Sequence, residues 1–314
     1  MTPLVSVWMI TYNQEEFIAQ AIESVLMQKT SFDYEIIIGE DFSKDNTRNI
    51  CAEYQKKFPD KIKLLFSKKN IGMTANAIRV FDACKGKYIA LLEGDDCWTD
   101  PCKLQKQVDF LEANPQIAGC FHDVINVDEN TKTIKENYYK SLKSVYTQQD
   151  CITWMGGAYA TCSLVFCSTA IKDIPKWTFK CMSDYVLDIL ITEHGDIAYI
   201  PANMGAYRIH KGGTWQGSSA HRNLEETVYR YRMCLTNLKY KREYVQHFKK
   251  SLSNLSLLIY KAYHIEGKWL KELKYAWYHF YYMENKNMEA FEFLIKRILD
   301  SLSLRKIKNS FTQH

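Results

Sequence analysis

No apolar run in this chain approaches the roughly 20 residues needed to span a bilayer, which argues against a membrane-crossing helix. The opening residues, MTPLVSVWMITYNQ, carry neither a basic leader nor a long apolar core and do not read as a signal peptide. The ten cysteines are scattered from Cys51 to Cys234 without a CxxC pair, and no Cys/His group has zinc-ligand spacing. Reduced thiols in a cytoplasmic protein fit that pattern. There is no internal repeat. No GxGxxG follows the first apolar run and no GxxxxGK[ST] occurs, so neither a dinucleotide fingerprint nor a P-loop is supported. Any phosphate must be handled by side chains and a metal instead.

What is present suits a chain with a sizeable core: of 314 residues, 46% are hydrophobic and 25% charged. Aromatics reach 14%, including 21 Tyr and 7 Trp, a supply that sugar-handling surfaces draw on and that packing alone also uses. The net charge of +5 is uneven, because the last 94 residues carry 18 Lys+Arg against 9 Asp+Glu. A basic end behind a mildly acidic body points to an anionic partner surface. No nucleic-acid module is recognisable, so a membrane surface is the expected partner and nucleic acid is not.

The first half alternates strand and helix patterns. Leu4–Tyr12 is a near-continuous apolar run, as expected of a strand buried on both faces, and Phe17, Ile18, Ala21, Ile22, Val25 and Leu26 follow at helical spacing. Further strands are expected at Tyr34–Gly39, Ile62–Phe66, Tyr88–Leu92 and Ile117–Val127, separated by helices. One of these helices starts at Asp100-Pro101, with Asp as cap. Strands alternating with helices predict a mainly parallel α/β sheet with right-handed crossovers. The Lys-rich stretch from Asp128 to Gln149 is expected to loop outward. Core elements return at Ala158–Phe166, Asp184–Glu193 and Ile197–Ile200, and the pattern is helical after about residue 220. The predicted organisation is a nucleotide-binding domain over 1–220 and a basic helical region over 221–314.

In an open parallel sheet, ligands bind beyond the carboxyl ends of the strands. Thr11, Tyr12 and Asn13 follow the first strand, Glu40 to Thr47 the second, and Glu93-Gly94-Asp95-Asp96 the fourth. Two acidic turns at one edge repel each other unless a cation or hydrogen-bond donors offset the charge. Adjacent carboxylates on a tight turn opened by Gly94 can hold Mg²⁺ or Mn²⁺ through one or two ligands, with phosphate and water completing the shell. Alternatively, such a turn is only the entry to the next helix. Asp41 is placed either to recognise a base or ribose, or to serve as an acid at a helix N-terminus.

Taken together, VSVWMITYNQEEFIAQAIESVLMQ, EIIIGEDFSKDNT and NIGMTANAIRVFDACKGKYIALLEGDD resemble the family 2 glycosyltransferases of GT-A fold. Four motifs in the right order cover about the first 110 residues closely and reach residue 215 more loosely. The resemblance implies that Asp41 contacts the nucleobase, usually uracil. Thr11, Asn13, Asn70 and Asn76 then line the nucleotide pocket, with Glu93 and Gly94 beside them. Asp95 is implied as the ligand to a metal on the diphosphate, with Asp96 a further candidate. Two departures stand out, Phe42 where glycine is common and Glu93 in place of the usual first Asp.

The family's later acidic motif corresponds to Asp184, implied as the catalytic base, although Ser183 or Asp184 would also serve as a plain helix cap. Asp188, one turn on, is expected to face solvent. Tyr207–Trp215 resembles the segment that closes over the diphosphate. It offers His210 to the metal or to a phosphate oxygen, with Arg208 and Lys211 adding positive charge.

The implied activity is inverting transfer from a nucleotide sugar, a UDP-sugar by the uracil pattern, to a hydroxyl of a glycan or lipid-linked acceptor. Bacterial surface polysaccharide or glycolipid synthesis is the implied setting. The segment from Phe291 to Phe311 has the pattern of a helix lying on the inner face of the cell membrane, or of a packing helix with a solvated basic face. A non-catalytic relative that binds nucleotide or glycan, or a sugar-nucleotide nucleotidyltransferase, would be the alternatives. The latter normally shows a Gly-rich stretch after the first strand, which TYNQEEF lacks.

Overall fold

The computed structural model describes residues 2–136, 143–154, 159–213, 220–237, 242–283 and, in the tail, 292, 295 and 296. The chain divides into two compact units, Met1–Gly213 and Thr214–His314.

In the first unit β1 (Val5–Thr11) is buried along nearly its whole length, and α1 (Ile18–Leu26) buries Ile18, Ala21, Ile22 and Val25 at helical spacing. Burying each of the three larger side chains contributes about 1.5–3 kcal/mol. Next come β2 (Tyr34–Glu40), α2 (Thr47–Lys57), β3 (Ile62–Phe66), α3 (Met73–Ala83) and β4 (Tyr88–Leu91). A two-residue strand, β5 (Cys97–Trp98), precedes α4 (Lys103–Ala113) and the long β6 (Ile117–Val127). Then follow β7 (Thr133–Lys135), β8 (Val145–Tyr146), α5 (Gln148–Trp154), β9 (Val165–Cys167), α6 (Asp184–Thr192) and β10 (Asp196–Arg208).

These strands form one ten-stranded sheet in the order β3-β2-β1-β4-β9-β6-β10-β5, with β7 on β6 and β8 on β10. Most paired residues lie in the parallel ladders of β3-β2-β1-β4 and β6-β10, while β9 runs antiparallel between β4 and β6. This is the mixed, mainly parallel α/β architecture the sequence pattern predicts. Parallel pairing brings the carboxyl ends of β1, β2 and β4 to one edge, which positions the site. Close packing fixes that edge: a Cβ on Gly39 would lie 2.5 Å from both Asn76 Oδ1 and Val80 Cγ2.

Three local expectations are corrected. The helix expected from Asp100-Pro101 begins at Lys103, because Asp100 Oδ1 accepts the Cys102 amide at 2.8 Å and its Oδ2 accepts Lys106 Nζ at 2.6 Å. The carboxylate organises a turn before the helix instead of capping it. The stretch from Asp128 to Gln149 is not wholly a loop, since β7 and β8 both join the sheet. The strand foreseen at Ile197–Ile200 runs on to Arg208, with register shifts against β6 near Ile200 and Asn203.

The second unit contains α7 (Ala220–Asn237), α8 (Arg242–Ile265) and α9 (Trp269–Tyr282). Tyr231, Phe248, Leu252, Ile259 and Tyr263 are buried among them. Arg232 Nη1 donates to Tyr278 Oη at 2.5 Å and its Nε to Tyr282 Oη at 3.1 Å, which ties α7 to α9. The basic segment from Phe291 to Phe311 lies outside the described residues apart from Glu292, Ile295 and Lys296, as do Thr214 and Trp215. Among the described residues no helix is long and apolar enough to cross a membrane. All ten cysteines are free thiols.

Candidate active site

The edge is assembled from the strand ends outward. Gly94 N donates to Ile10 O at 3.1 Å, pinning the acidic turn against β1. A Cβ at Gly94 would stand 2.6 Å from Gln14 Oε1 and 2.9 Å from Thr11 Cβ, so glycine is what allows this approach. Thr11 is buried and its Oγ1 donates to Gln14 Oε1 at 2.7 Å. Asn13 takes a left-handed φ of 54° and joins the β1 end to the β2 end. Its amide donates to Ser43 Oγ at 3.0 Å and its Oδ1 accepts the Lys44 amide at 2.8 Å.

Asp41 is buried, and its carboxylate grips the following loop by accepting Ile71 N at 2.8 Å and Gly72 N at 2.9 Å. Asn70 Oδ1 also accepts Gly72 N, at 3.1 Å. Asn76 is corrected from a pocket-lining residue to a strand clamp: buried, it donates to Gly39 O at 2.8 Å and accepts Arg79 Nε at 2.8 Å. Arg79 Nη2 in turn caps Glu40 O at 2.8 Å. These contacts engage both ends of the Asn76 amide within the protein.

Phe42 also has a left-handed φ, 62°, yet 43% of the residue is exposed. For a side chain with a Cβ this conformation costs about 1–2 kcal/mol. The Arg48 guanidinium stands 5.3 Å from its ring centroid and 4.9 Å from that of Phe66. Arg48 is held there by Glu40 Oε2 at 2.6 Å and Ser67 O at 2.5 Å. A partly exposed cation–ring contact returns about 0.5–1 kcal/mol, which offsets the strain at best.

The acidic turn after β4 has three carboxylates in three environments. Glu93 is half-buried, and among the described residues its Oε2 is shut off from solvent without a hydrogen-bond partner. Burial, then the negative charges of Asp96, Asp95 and Asp184, push its carboxyl well above the usual range. Asp96 is buried with its Oδ1 accepting Arg208 N at 2.8 Å, and burial followed by the Asp95 charge raises it too. Through that oxygen Asp96 braces β10 from within the core. Asp95 keeps a partly exposed carboxylate, with Oδ2 3.0 Å from His210 Nε2. The His210 ring rests edge-on against Phe17 at 4.9 Å.

Arg208 is the second correction in this region. Its guanidinium was expected at the nucleotide, yet its donors are taken by protein. Nε donates to Asp95 O at 2.9 Å, and Nη1 to Asp128 O, Glu129 O and Thr131 Oγ1 at 3.0–3.2 Å. Nη2 donates to Gln20 Oε1 at 2.5 Å, and the group lies 4.8 Å from the Phe17 ring centroid. Arg208 is a clasp around the acidic turn. Gln20, Phe17 and Gln14 are the supporting residues that sequence reading missed, because each is an ordinary α1-region side chain until the fold brings the turn beside it.

On α6, Ser183 is the cap, accepting Val186 N at 3.4 Å. That leaves Asp184 at the first helical position, partly exposed, with Oδ1 on the Tyr185 amide at 2.7 Å. Its negative charge adds, after those of Asp96 and Asp95, to the upward push on the Glu93 carboxyl. Asp188 does not face solvent: it is buried and accepts a hydrogen bond from Tyr159 Oη.

Among the described residues, no group of three or more His, Cys, Asp or Glu side chains is arranged to hold a metal ion alone. The pair of Asp95 and His210 still fits a divalent cation. It combines a hard oxygen with an imidazole nitrogen and leaves the remaining coordination to phosphate and water.

Comparison with known proteins bears on this arrangement. The chain is 34% identical over 218 residues to an uncharacterized protein of Mycobacterium tuberculosis, a match covering 69% of this chain and 62% of that relative's length. It is 29% identical over 241 residues to an uncharacterized glycosyltransferase of Nostoc sp., covering 74% of this chain and 73% of the relative. Among solved structures, S. aureus TarS 1-349 in complex with UDP-GlcNAc superposes with a TM-score of 0.56 at 14% identity, covering 98% of this chain and 91% of that one. The mannosyltransferase PcManGT from Pyrobaculum calidifontis, in complex with GDP-Man and Mn²⁺, gives 0.57 at 14% identity, covering 100% and 84%. At that identity the likeness is one of fold, which is of GT-A type. The family model for glycosyl transferase family 2 matches residues 6–173, more than half of the chain, and the protein belongs to that family.

Proposed function

We propose that this glycosyltransferase performs an inverting transfer of a sugar from a nucleotide-sugar donor, a UDP-sugar, to a hydroxyl of a glycan or lipid-linked acceptor. The setting proposed is surface polysaccharide or glycolipid synthesis at the cytoplasmic face of the membrane. The observation that carries the reading is the pairing of Asp95, on the acidic turn after β4 at the carboxyl edge of the sheet, with His210 at 3.0 Å. Asp184, partly exposed in the first turn of α6, is the carboxylate proposed as the base.

In this reading residues 1–220 are the catalytic domain, and the basic region 221–314 meets an anionic membrane surface. Thr11, Asn13, Asp41 and Asn70 form the nucleotide wall, with Glu93 and Gly94 beside them. Asp95 and His210 would hold Mn²⁺ or Mg²⁺. When bound, such an ion stabilises the charge of the departing diphosphate. Asp184 removes the proton of the acceptor hydroxyl as that oxygen attacks the anomeric carbon from the face opposite the leaving group. General-base help of this kind is worth about 10²–10⁴-fold. The solved relatives of like fold hold UDP-GlcNAc and GDP-Man with Mn²⁺, which supports a nucleotide-sugar donor and a divalent ion.

A thermal-shift panel of UDP-, GDP- and dTDP-sugars with and without Mn²⁺ tests the reading. The UDP-sugars should raise the melting temperature in the presence of Mn²⁺, and Asp95→Ala should abolish the effect. Indifference to every donor, or an Asp95→Ala protein that responds like wild type, counts against it.

A further inference from the structure

Phe42 is the residue at this edge whose conformation the fold does not repay. It sits between Asp41, whose carboxylate holds the Ile71–Gly72 loop, and Ser43, whose hydroxyl receives the Asn13 amide. The backbone amides on either side are also held, Asp41 N by Thr11 O at 3.2 Å and Ser43 N by Glu40 Oε1 at 2.6 Å, around a φ of 62° at Phe42. Glycine or asparagine would meet that requirement with little strain. A phenylalanine there leaves 43% of the residue exposed, directly after the buried Asp41.

Arg48 fixes the ring's position: anchored on Glu40 and on Ser67 O, its guanidinium stands over the Phe42 ring at 5.3 Å and the Phe66 ring at 4.9 Å. The ring is thus backed by a planar cation while 43% of the residue stays exposed, the form of a preorganised stacking surface. A flat aromatic ligand gains by lying on such a ring whichever hydrogen-bonding edge it carries.

We propose that the Phe42 ring is a stacking platform for the nucleobase of the donor. This rests on the nucleotide-binding reading above and adds to it a residue that grips the base without choosing among bases. Sugar and phosphate do not lie on the ring, so its contribution is confined to the base.

Calorimetric titration of UDP, GDP and inorganic pyrophosphate in the presence of Mn²⁺ separates the parts. Phe42→Gly and Phe42→Asn both suit the left-handed backbone while removing the ring. Each should bind UDP and GDP about 10- to 100-fold more weakly and pyrophosphate within about twofold of wild type. Phe42→Tyr, which restores a ring, should recover most of the lost nucleotide affinity. Nucleotide affinity within about twofold of wild type in both ring-less variants overturns the proposal, as does an equal loss for pyrophosphate. Wild-type protein that binds pyrophosphate but neither nucleotide overturns this proposal and the nucleotide-binding reading together. Wild-type nucleotide binding with unaffected variants overturns this proposal alone.

Discussion

The backbone amide of Arg208 donates to Asp96 Oδ1 at 2.8 Å, while its side-chain Nε reaches Asp95 O at 2.9 Å. One residue at the end of β10 thereby holds two neighbouring positions of the acidic turn after β4. The remaining guanidinium donors fasten Gln20 on α1 and the loop from Asp128 to Thr131.

Arg208→Ala should therefore act on stability before chemistry. It leaves several buried acceptors without a donor and Asp96 without its neighbouring positive charge, a loss of about 3–5 kcal/mol. Arg208→Lys should recover only part of this, because one ammonium cannot reach acceptors spread around a planar fork. Chemical denaturation of the two variants checks the order. Wild-type stability in Arg208→Lys would contradict the clasp.

Asp188 is a buried carboxyl held by Tyr159, and burial raises its folded pKa well above the usual carboxylate range. For a raised acid, the associated stability is present in full below the unfolded pKa and lost as pH climbs through the folded one. Asp188→Asn keeps the acceptor oxygen and removes the charge. The variant should be more stable than wild type at neutral pH, by about 1–3 kcal/mol, and the gain should vanish near pH 4. Melting curves across that range decide it.

Lys103 is completely buried in the α4–sheet interior, 3.8 Å over the Trp98 ring, and its Nζ has no hydrogen-bond partner among the described residues. Burial lowers its pKa to about 7. Between about pH 7 and 10.5 the unfolded chain binds a proton that the folded chain does not, so stability rises with pH there. Lys103→Met should stabilise the protein by about 1–4 kcal/mol at pH 7 and below, with the advantage shrinking toward pH 10. An advantage that does not change with pH would show that the ammonium is accommodated.

Much of the fold was legible because burial on both faces leaves a plain mark. Val5–Thr11, Tyr34–Glu40 and Tyr88–Leu91 are near-continuous apolar runs, and each ends in the polar residues that face the site. The turn at Gly94 was legible for the same reason, since it directly follows such a run. Arg208 was not, because its acceptors come from residues 20, 95, 128, 129 and 131, and a lone Arg beside His and Lys looks like a phosphate ligand. Asp188 misled through its spacing, since the tyrosine that takes it inward is 29 residues earlier and in no periodic pattern. Asn76 misled in the same way, through a carbonyl on a strand 37 residues away. Long-range satisfaction of buried polar groups is what the linear pattern does not display.

The proposed role of Asp184 is tested most directly by single-turnover transfer measured beside nucleotide binding in Asp184→Asn. A base that only removes the acceptor's proton predicts transfer reduced at least 10²-fold with the UDP-sugar affinity retained. Wild-type turnover in that variant would contradict the account.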